Sequence, residues 1–476
     1  MNVDDNALKI KHLYSRAGFG ISYSELQNLS KKPYEKVVKE LFKEARKDDD
    51  ISLIGETETR NQMLMQAGLY KKKSQLTEEE KQLRKDIIRQ QNSKSRELNI
   101  SFLEKMINTK APLREKMTLF WHGHFACRSR VPLYAQQLNN IQRNEGLGNF
   151  KTLLMTVSKS PAMLAYLNNQ QNRKGHPNEN FARELMELFT IGRGNYTEKD
   201  IKESARSFTG WMYDKGGAFV FRDKSHDEGE KVFFGKTGHF DGEDIIDAIL
   251  ANPKTAEFVS RKVYKFYVND TPNEAHVKEL ADHFYHTKYD ITELMKKIFL
   301  ADWFQSSENV GNKIKSPAEF IVGLSRQFYV TYNRPQVLLQ LQSSLGQYLF
   351  NPPNVAGWPG GQSWIDSSSL MLRMRIPSLV LDDGLIDFSG KADPEDEALI
   401  ALGKTAKPKL AKSYINASAN WTEFLKTLPA NISPVKLASF LLQPSVSNNL
   451  RAMISNNKSL KSTVVEVTST PEYQLC

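Results

Sequence analysis

Cysteine is nearly absent from the sequence, since its 476 residues contain only Cys127 and Cys476. Two cysteines cannot form a disulfide framework, and they exclude a zinc module built on cysteine ligands. Long apolar runs are also lacking, because no stretch approaches the ~20 residues of a membrane-spanning helix. The segment Met1–Asn6 has no basic region followed by an apolar core, so it does not resemble a signal peptide. From these absences we expect a soluble, cytoplasmic protein without a membrane span.

Charge is the next bulk feature, with 65 basic and 55 acidic residues and a net charge of +10. An excess of this sign favours an anionic partner, such as an acidic glycan or a nucleic acid. Acidic residues are interleaved through most of the chain, which instead favours an ordinary mixed surface. The run Lys71-Lys72-Lys73 has few aromatic neighbours on which bases could stack, so nucleic acid is the weakest of these partners.

The predicted fold is mainly α, a multi-helix globular fold with one small β-hairpin insertion. Apolar residues recur at helical spacing through most of the chain, and Thr77–Glu80 has the spacing of a capping box. Phe219–Phe221 and Val232–Phe234 flank a polar loop, which predicts the hairpin. We divide the chain into N-terminal helices at 1–45, a charged helical arm at 46–100, a helical core at 101–375 containing the hairpin 218–235 and a Pro/Gly/Trp loop at 350–361, and a C-terminal helical tail at 376–476.

The first chemically interesting motif lies at 114–125. Five of its residues recur at helical spacing: Met117, Phe120, Trp121, His124 and Phe125. If the helix continues past Gly123, His124 belongs to one buried stripe and His122 points well away from it. If Gly123 ends the helix, both imidazoles can converge on one metal ion. The sequence leaves a core histidine and a metal ligand as open alternatives.

A second motif lies at 178–189. Its apolar face is formed by Phe181, Leu185, Leu188 and Phe189. Glu179 and Arg183 lie opposite that face, where they are expected to form an exposed i, i+4 pair. Asn180, Glu184 and Glu187 share a flank at the border of the face. Two carboxylates at i, i+3 can hold a divalent metal or divide acid and base roles, whereas the alternative is surface salt bridging. We expect this segment to pack beside 114–125.

Two further groups offer themselves as site residues. Arg206 lies in the segment 205–211, and His226 with Asp227 lies in the loop of the predicted hairpin. A His–Asp neighbour pair is either a ligand set or ordinary turn chemistry, because Asp favours turns.

Taken in order, these segments resemble the DUF1800 family of bacterial proteins of unknown function. The resemblance is carried by 15–20 (Ser-Arg-Ala-Gly-Phe-Gly), 120–125, 178–189, 205–211, 226–227, 240–242, 315–317, 351–361 and 471–476. It covers nearly the whole chain and is weakest at 46–100 and after 385. The resemblance implies no catalytic residues, so the site assignments rest on the side chains themselves.

The leading functional hypothesis is a metal-dependent enzyme, hydrolytic or oxidative, that acts on a polymeric or peptide-like substrate. Its predicted divalent-metal ligands are His122, His124, Glu184, Glu187 and His226. Its predicted catalytic residues are Glu184, Glu187, Asn180 and Arg206. The alternative is a non-catalytic binding or assembly protein, in which Trp358, Trp364 and the loop 350–361 form an interaction surface. A third hypothesis, nucleic-acid binding, rests on net charge alone.

Overall fold

A computed structural model describes residues 3–46, 50–59, 61, 76–214, 216–382, 417–457 and 459–476. The lysine run 71–73 lies outside these residues, as do parts of the predicted arm and tail. Within the described ranges, no helix combines the length and the apolar character that crossing a membrane requires.

Helices dominate both halves of the molecule. The first half contains α1 (Val3–Ala17), α2 (Tyr23–Leu29), α3 (Tyr34–Glu44), α4 (Glu78–Asn108), α5 (Pro112–His124), α6 (Pro132–Glu145), α7 (Phe150–Lys159), α8 (Pro161–Tyr166), α9 (Asn180–Glu184) and α10 (Glu198–Ser207). The second half contains α11 (Gly242–Leu250), α12 (Pro253–Tyr267), α13 (Glu274–His286), α14 (Ile291–Phe299), α15 (Pro317–Gln327), α16 (Gln336–Leu345), α17 (Ser367–Leu381), α18 (Trp421–Lys426), α19 (Pro434–Leu441), α20 (Asn448–Ser455) and α21 (Leu460–Thr468).

Shorter helical segments complete the architecture. A π-helix, Leu185–Thr190, follows α9 directly. Single 3₁₀ turns lie at Asn169–Gln171, Asp223–Ser225, Asp302–Gln305, Gly361–Trp364 and Pro471–Gln474. The mainly α fold predicted from the sequence is therefore confirmed.

Six short strands pair antiparallel, two by two, in the described residues. The pairs are β1 (Trp211–Tyr213) with β2 (Phe219–Phe221), β3 (Lys231–Phe233) with β4 (Lys236–Gly238), and β5 (Val330–Tyr332) with β6 (Ala417–Ala419). The predicted pairing of 219–221 with 232–234 is wrong. The strand 219–221 pairs with the preceding strand 211–213 instead, and 231–233 turns back on 236–238, because Phe234 and Gly235 both adopt positive φ and form the two-residue turn that suits a tight hairpin.

Helix α5 lies in the middle of the hydrophobic core. Every residue of this helix except Gly123 is buried, including three charged ones. A helix buried on all sides must pair its charges internally. Glu115 accepts a hydrogen bond from Arg143 of α6 at 3.0 Å, and Lys116 forms an ion pair with Glu319 of α15 at 2.5 Å. These pairs fix α5 against both neighbours.

Candidate functional site

The two histidines of α5 are both enclosed by the core. The helix continues through Gly123, so His122 and His124 point to different sides, as the first of the two sequence alternatives requires. His122 packs against Phe102 and Phe350, and Trp358 stacks on it with ring centroids 5.5 Å apart. Its Nε2 accepts a hydrogen bond from the Phe350 backbone N–H at 3.0 Å. Burial lowers the pKa of His122 to about 4.

His124 lies in a second aromatic environment, formed with Phe120, Trp121 and Phe125. Its Nε2 donates to the carbonyl oxygen of Phe189 at 3.0 Å, and burial lowers its pKa to about 3. This hydrogen bond confirms that the two motif segments touch, at their C-terminal ends. Both imidazoles are therefore neutral, and each uses Nε2 to satisfy a backbone group.

His226 and Arg206 stabilise the loop that links the two hairpins. The Nδ1 atom of His226 donates to the carbonyl oxygen of Thr209 at 2.8 Å. Arg206 forms a fork to Asp227, at 2.7 Å from Nε, and also contacts Glu203. This ion pair holds the pKa of Asp227 at about 2. These contacts are those of turn chemistry, and all of them lie within the chain.

The segment after Asn178 differs from the continuous α-helix that its periodicity predicts. It begins as α-helix at Asn180 and widens into a π-helix from Leu185 to Thr190, where the Ile191 N–H bonds the Met186 carbonyl at 3.1 Å. The predicted pair of Glu179 and Arg183 is present at 3.1 Å. π-helical segments are rare and occur often at functional sites, so this flank is a candidate functional region.

Glu184 and Glu187 lie near each other on this flank but in unlike surroundings. Glu187 is bound by the Arg193 guanidinium and accepts a hydrogen bond from the Tyr196 hydroxyl at 3.1 Å. Glu184 is half-buried and has no hydrogen-bond or ion-pair partner among the described residues. Burial and then the neighbouring Glu187 charge raise the pKa of Glu184. One carboxylate is thus bound by a cation and a hydroxyl, whereas burial disfavours the charged form of the other.

Tyr166, at the end of α8, lies against the same flank. Burial is the main cause that raises its pKa, and the Cys127 and Glu184 charges add to it. Asn180 donates from Nδ2 to the carbonyl oxygen of Leu167 at 3.2 Å, which ties α9 to α8. Tyr166, Asn180 and Glu184 therefore follow one another along one edge.

This edge borders a polar cleft of about 1030 Å³. Its wall is made mainly of amides and cations, together with one acid and two apolar residues: Gln170, Gln171, Asn172, Arg173, His176, Pro177, Asn178, Glu179, Asn180, Met212, Arg222 and Ser225. Glu184 lies one helical turn beyond Asn180, on the same flank of α9. The cleft and the unpartnered carboxylate are neighbours.

Two buried asparagines hold the loop that forms the floor of the cleft. Asn169 donates to the carbonyl oxygen of Trp211 at 3.0 Å, and Asn172 donates to that of Ala205 at 2.9 Å. Asn172 also accepts from the Asn178 N–H at 2.9 Å. A loop with buried side-chain anchors of this kind presents its exposed groups, Arg173 and His176, in a fixed arrangement.

The five predicted metal ligands do not converge. Among the described residues, no three His, Cys, Asp or Glu side chains form a group able to hold a metal ion. Of the predicted set, Glu184 and Glu187 are close enough to influence each other's charge, whereas the imidazoles bond to backbone groups. The metal site therefore stays a prediction from the sequence.

Sequence reasoning missed the cleft itself and its basic side chains. Arg173, His176 and Arg222 are separated by up to 49 positions in the chain, and no periodic pattern joins them. Tyr166 and Tyr196 were also missed. The hydrogen bond of Tyr196 to Glu187 involves the π-helix, which the apolar period did not predict. The dense Asn and Gln content of 168–172 was the one available signal, since buried amides often anchor loops.

Comparison with known proteins gives one match. The model of the family described as "Protein of unknown function (DUF1800)" matches residues 12–475, nearly the whole chain. No curated protein and no solved structure matches the chain.

Proposed function

The chain belongs to the DUF1800 family, whose description states no function, and we propose that it is an enzyme that uses Glu184 in acid–base catalysis on a polymeric substrate. The observation that carries this proposal is the half-buried carboxylate of Glu184, which lacks a partner among the described residues. Glu184 does not itself line the polar cleft, but it lies one helical turn beyond Asn180, which does. A carboxylate with a raised pKa next to a charged one is the arrangement that divides acid and base roles.

The cleft supports an anionic, hydroxyl-rich substrate. Amide side chains both donate and accept, so they suit hydroxyl groups, and Arg173 and Arg222 suit carboxylates. An acidic polysaccharide combines these two chemistries. Glu184 then gives its proton to the leaving oxygen as the glycosidic C–O bond breaks, water adds to the anomeric carbon, and the proton that this water loses restores Glu184 through solvent. Glu187, held by Arg193 and Tyr196, supplies negative charge close by.

The direct test measures new reducing ends released from polygalacturonate. Glu184→Gln keeps the shape of the side chain but removes the titrating proton, so we expect at least a hundredfold loss of rate with little change in KM. Glu198→Gln is the control, because Glu198 is an exposed partner of Arg183 outside the cleft wall. Equal rates for wild type and Glu184→Gln would remove Glu184 from the chemistry.

Three further arms separate the alternatives. Equal release from neutral dextran removes the preference for an anionic substrate. Activity that depends on protonated Glu184 falls as pH rises through its raised pKa, so the upper limb of the pH profile should disappear in the variant. Loss of activity with EDTA, restored by a divalent ion, would favour the metal-dependent form of the hypothesis.

The assembly role of the loop 350–361 stays the alternative proposal. No contact favours it, because Trp358 stacks on His122 and Trp364 is buried. Trp364 is buried and Trp358 is partly buried, so the exposed residues of the loop are small or polar: Pro353, Asn354, Ala356, Pro359 and Gly360.

A further inference from the structure

A small basic cavity lies far from the cleft in sequence, where α1, α5 and α15 meet the C-terminal segment. Its volume is about 50 Å³, which at ~10–15 Å³ per water is room for about four waters or one tetrahedral oxyanion. Among the described residues, its charged lining consists of Lys11, Lys116, Lys315 and Glu319, and Cys476 also borders it. We call it the basic cavity.

Four of the segments singled out in the sequence converge on the basic cavity. They are 15–20, 114–125, 315–317 and 471–476, which contribute Ser15, Phe19, Gly20, Lys116, Lys315, Tyr473 and Cys476. The proposed acid–base site uses none of these residues. Their convergence therefore calls for a separate explanation.

Positive charge exceeds negative charge in this lining. Lys11 and Lys116 are 7% and 2% exposed, and Glu319 is the one carboxylate side chain that lines the cavity. Glu319 already pairs with Lys116 at 2.5 Å. Lys315 donates to the carbonyl oxygen of Tyr473 at 2.6 Å, which leaves two of its three N–H donors for another acceptor.

Two arginines add to the excess directly behind the lining. Arg16 and Arg373 are 1% and 0% exposed. Arg373 donates from Nη1 to the Lys315 carbonyl oxygen at 3.0 Å, yet its Nε and Nη2 atoms have no hydrogen-bond partner in the described part of the chain. The same is true of Nε and Nη1 of Arg16. Even with Cys476 counted as anionic and Asp270 added beside Glu319, five cations face three anions.

We propose that the basic cavity binds a small oxyanion of the phosphate class. An excess of buried positive charge is costly, and an anion that accepts charge-assisted hydrogen bonds from Lys315 and the neighbouring lysines reduces that cost, while Arg16 and Arg373, which do not line the cavity, act on it through their charge. Gly20, Gly323 and Gln327 are only partly buried, so this side of the lining offers an entrance. The site is independent of the proposed acid–base function, and either can fail alone.

The test is a calorimetric titration of the whole protein with inorganic phosphate in a phosphate-free buffer of constant ionic strength. We expect saturable binding of one phosphate per chain, and no comparable heat with chloride. Lys315→Met should weaken this binding at least tenfold. Lys313→Met is the matched control, because Lys313 lies two residues away, pairs with Asp270 at 2.9 Å and does not line the cavity. Its affinity should stay within twofold of wild type.

Each outcome decides the proposal. Absence of saturable phosphate binding to wild type, or equal affinity in Lys315→Met, overturns it. If Lys315→Met does not fold, the wild-type titration decides alone, because chloride controls for unspecific charge effects. A parallel titration with glucose 1-phosphate separates two sources of the same chemistry: tighter binding assigns the site to the phosphate of a larger ligand, and weaker binding assigns it to free phosphate.

Discussion

The histidines of α5 and the glutamates of the α9–π segment were predicted together as metal ligands, yet they lie in opposite surroundings. His122 and His124 are sealed among aromatic rings and bond to backbone groups. Glu184 and Glu187 are only partly buried, and Glu184, one turn beyond the cleft residue Asn180, has no partner in the described residues. The difference teaches that a polar residue enclosed by the core is used to satisfy backbone groups. A polar residue at the edge of an apolar stripe, such as Glu184, is available for catalysis.

The largest difference in stability between the two regions is expected at His124. We expect His124→Ala to lower the free energy of unfolding by about 3 kcal/mol, since it leaves a cavity among the rings of Trp121 and Phe125 and an unpaired Phe189 carbonyl. Urea unfolding measures this loss. The control is His239→Ala, an exposed histidine, which should change stability by less than ~0.5 kcal/mol. Similar losses in the two variants would show that His124 is not a core residue.

A second effect comes from pH. His122 and His124 have pKa values of about 4 and 3 in the folded protein, below the ordinary value of 6.5 that they regain on unfolding. The unfolded state therefore binds more protons, so the stability they provide is complete above pH 6.5 and is lost as pH falls below it. At pH 5 each histidine should cost about 2 kcal/mol relative to pH 7.5.

Denaturant titrations at pH 7.5 and pH 5 measure this loss. His122→Asn should reduce the difference between the two pH values by roughly one histidine's share, about 2 kcal/mol, because asparagine does not titrate. An unchanged difference in the variant would mean that His122 is protonated in the folded state, which contradicts its enclosure.

Smaller effects separate the two glutamates. Glu187→Gln should cost about 1 kcal/mol, because it weakens the bonds from Arg193 and Tyr196. Glu184→Gln should instead be neutral or slightly stabilising at pH 7, since the raised pKa of Glu184 means that its charged form is disfavoured by folding.

The size of the stability change caused by Glu184→Gln also depends on pH. A carboxyl group with a raised folded pKa destabilises the protein above that pKa, and this penalty vanishes when the group is protonated in both states. Thermal melts at pH 7 and pH 4 should show the gain of Glu184→Gln disappearing at the lower pH. A clear loss of stability at pH 7 would reveal a partner for this carboxylate.

The sequence predicted those features that depend on local spacing. The mainly helical fold, the capping box at Thr77, the stripe through α5 and the Glu179–Arg183 pair all follow from residues within eight positions of each other. The π-helix could not be predicted from the apolar period. It depends on local hydrogen bonds, one made by the Thr190 hydroxyl and another accepted by the Met186 carbonyl. The strand pairing failed because Gly235 permits a tight turn that competes with the longer hairpin.

The cleft and the basic cavity depend on contacts between distant segments, which spacing cannot supply. Lys116 and Glu319 are 203 positions apart, and neither residue looks unusual within its own helix. Arg16 and Arg373 are equally ordinary in the sequence, and only the burial of two nitrogen atoms in each without a hydrogen-bond partner distinguishes them. The chemistry of both places therefore emerges from tertiary packing.

The smallest expected effect is that of Glu179→Ala, at the exposed edge of the same α9 flank. Arg183 bonds both Glu179, at 3.1 Å, and Glu198, at 2.8 Å. Removal of Glu179 leaves Arg183 with its second partner, and exposed pairs contribute only about 0–1 kcal/mol. We expect a change in melting temperature of less than ~1 °C, the shift that a few tenths of a kcal/mol produce in a chain of this size. A shift comparable to that of Glu187→Gln would mean that Glu179 holds the cleft wall in place. Glu179 would then be a structural residue of the cleft rather than an exposed residue without a role.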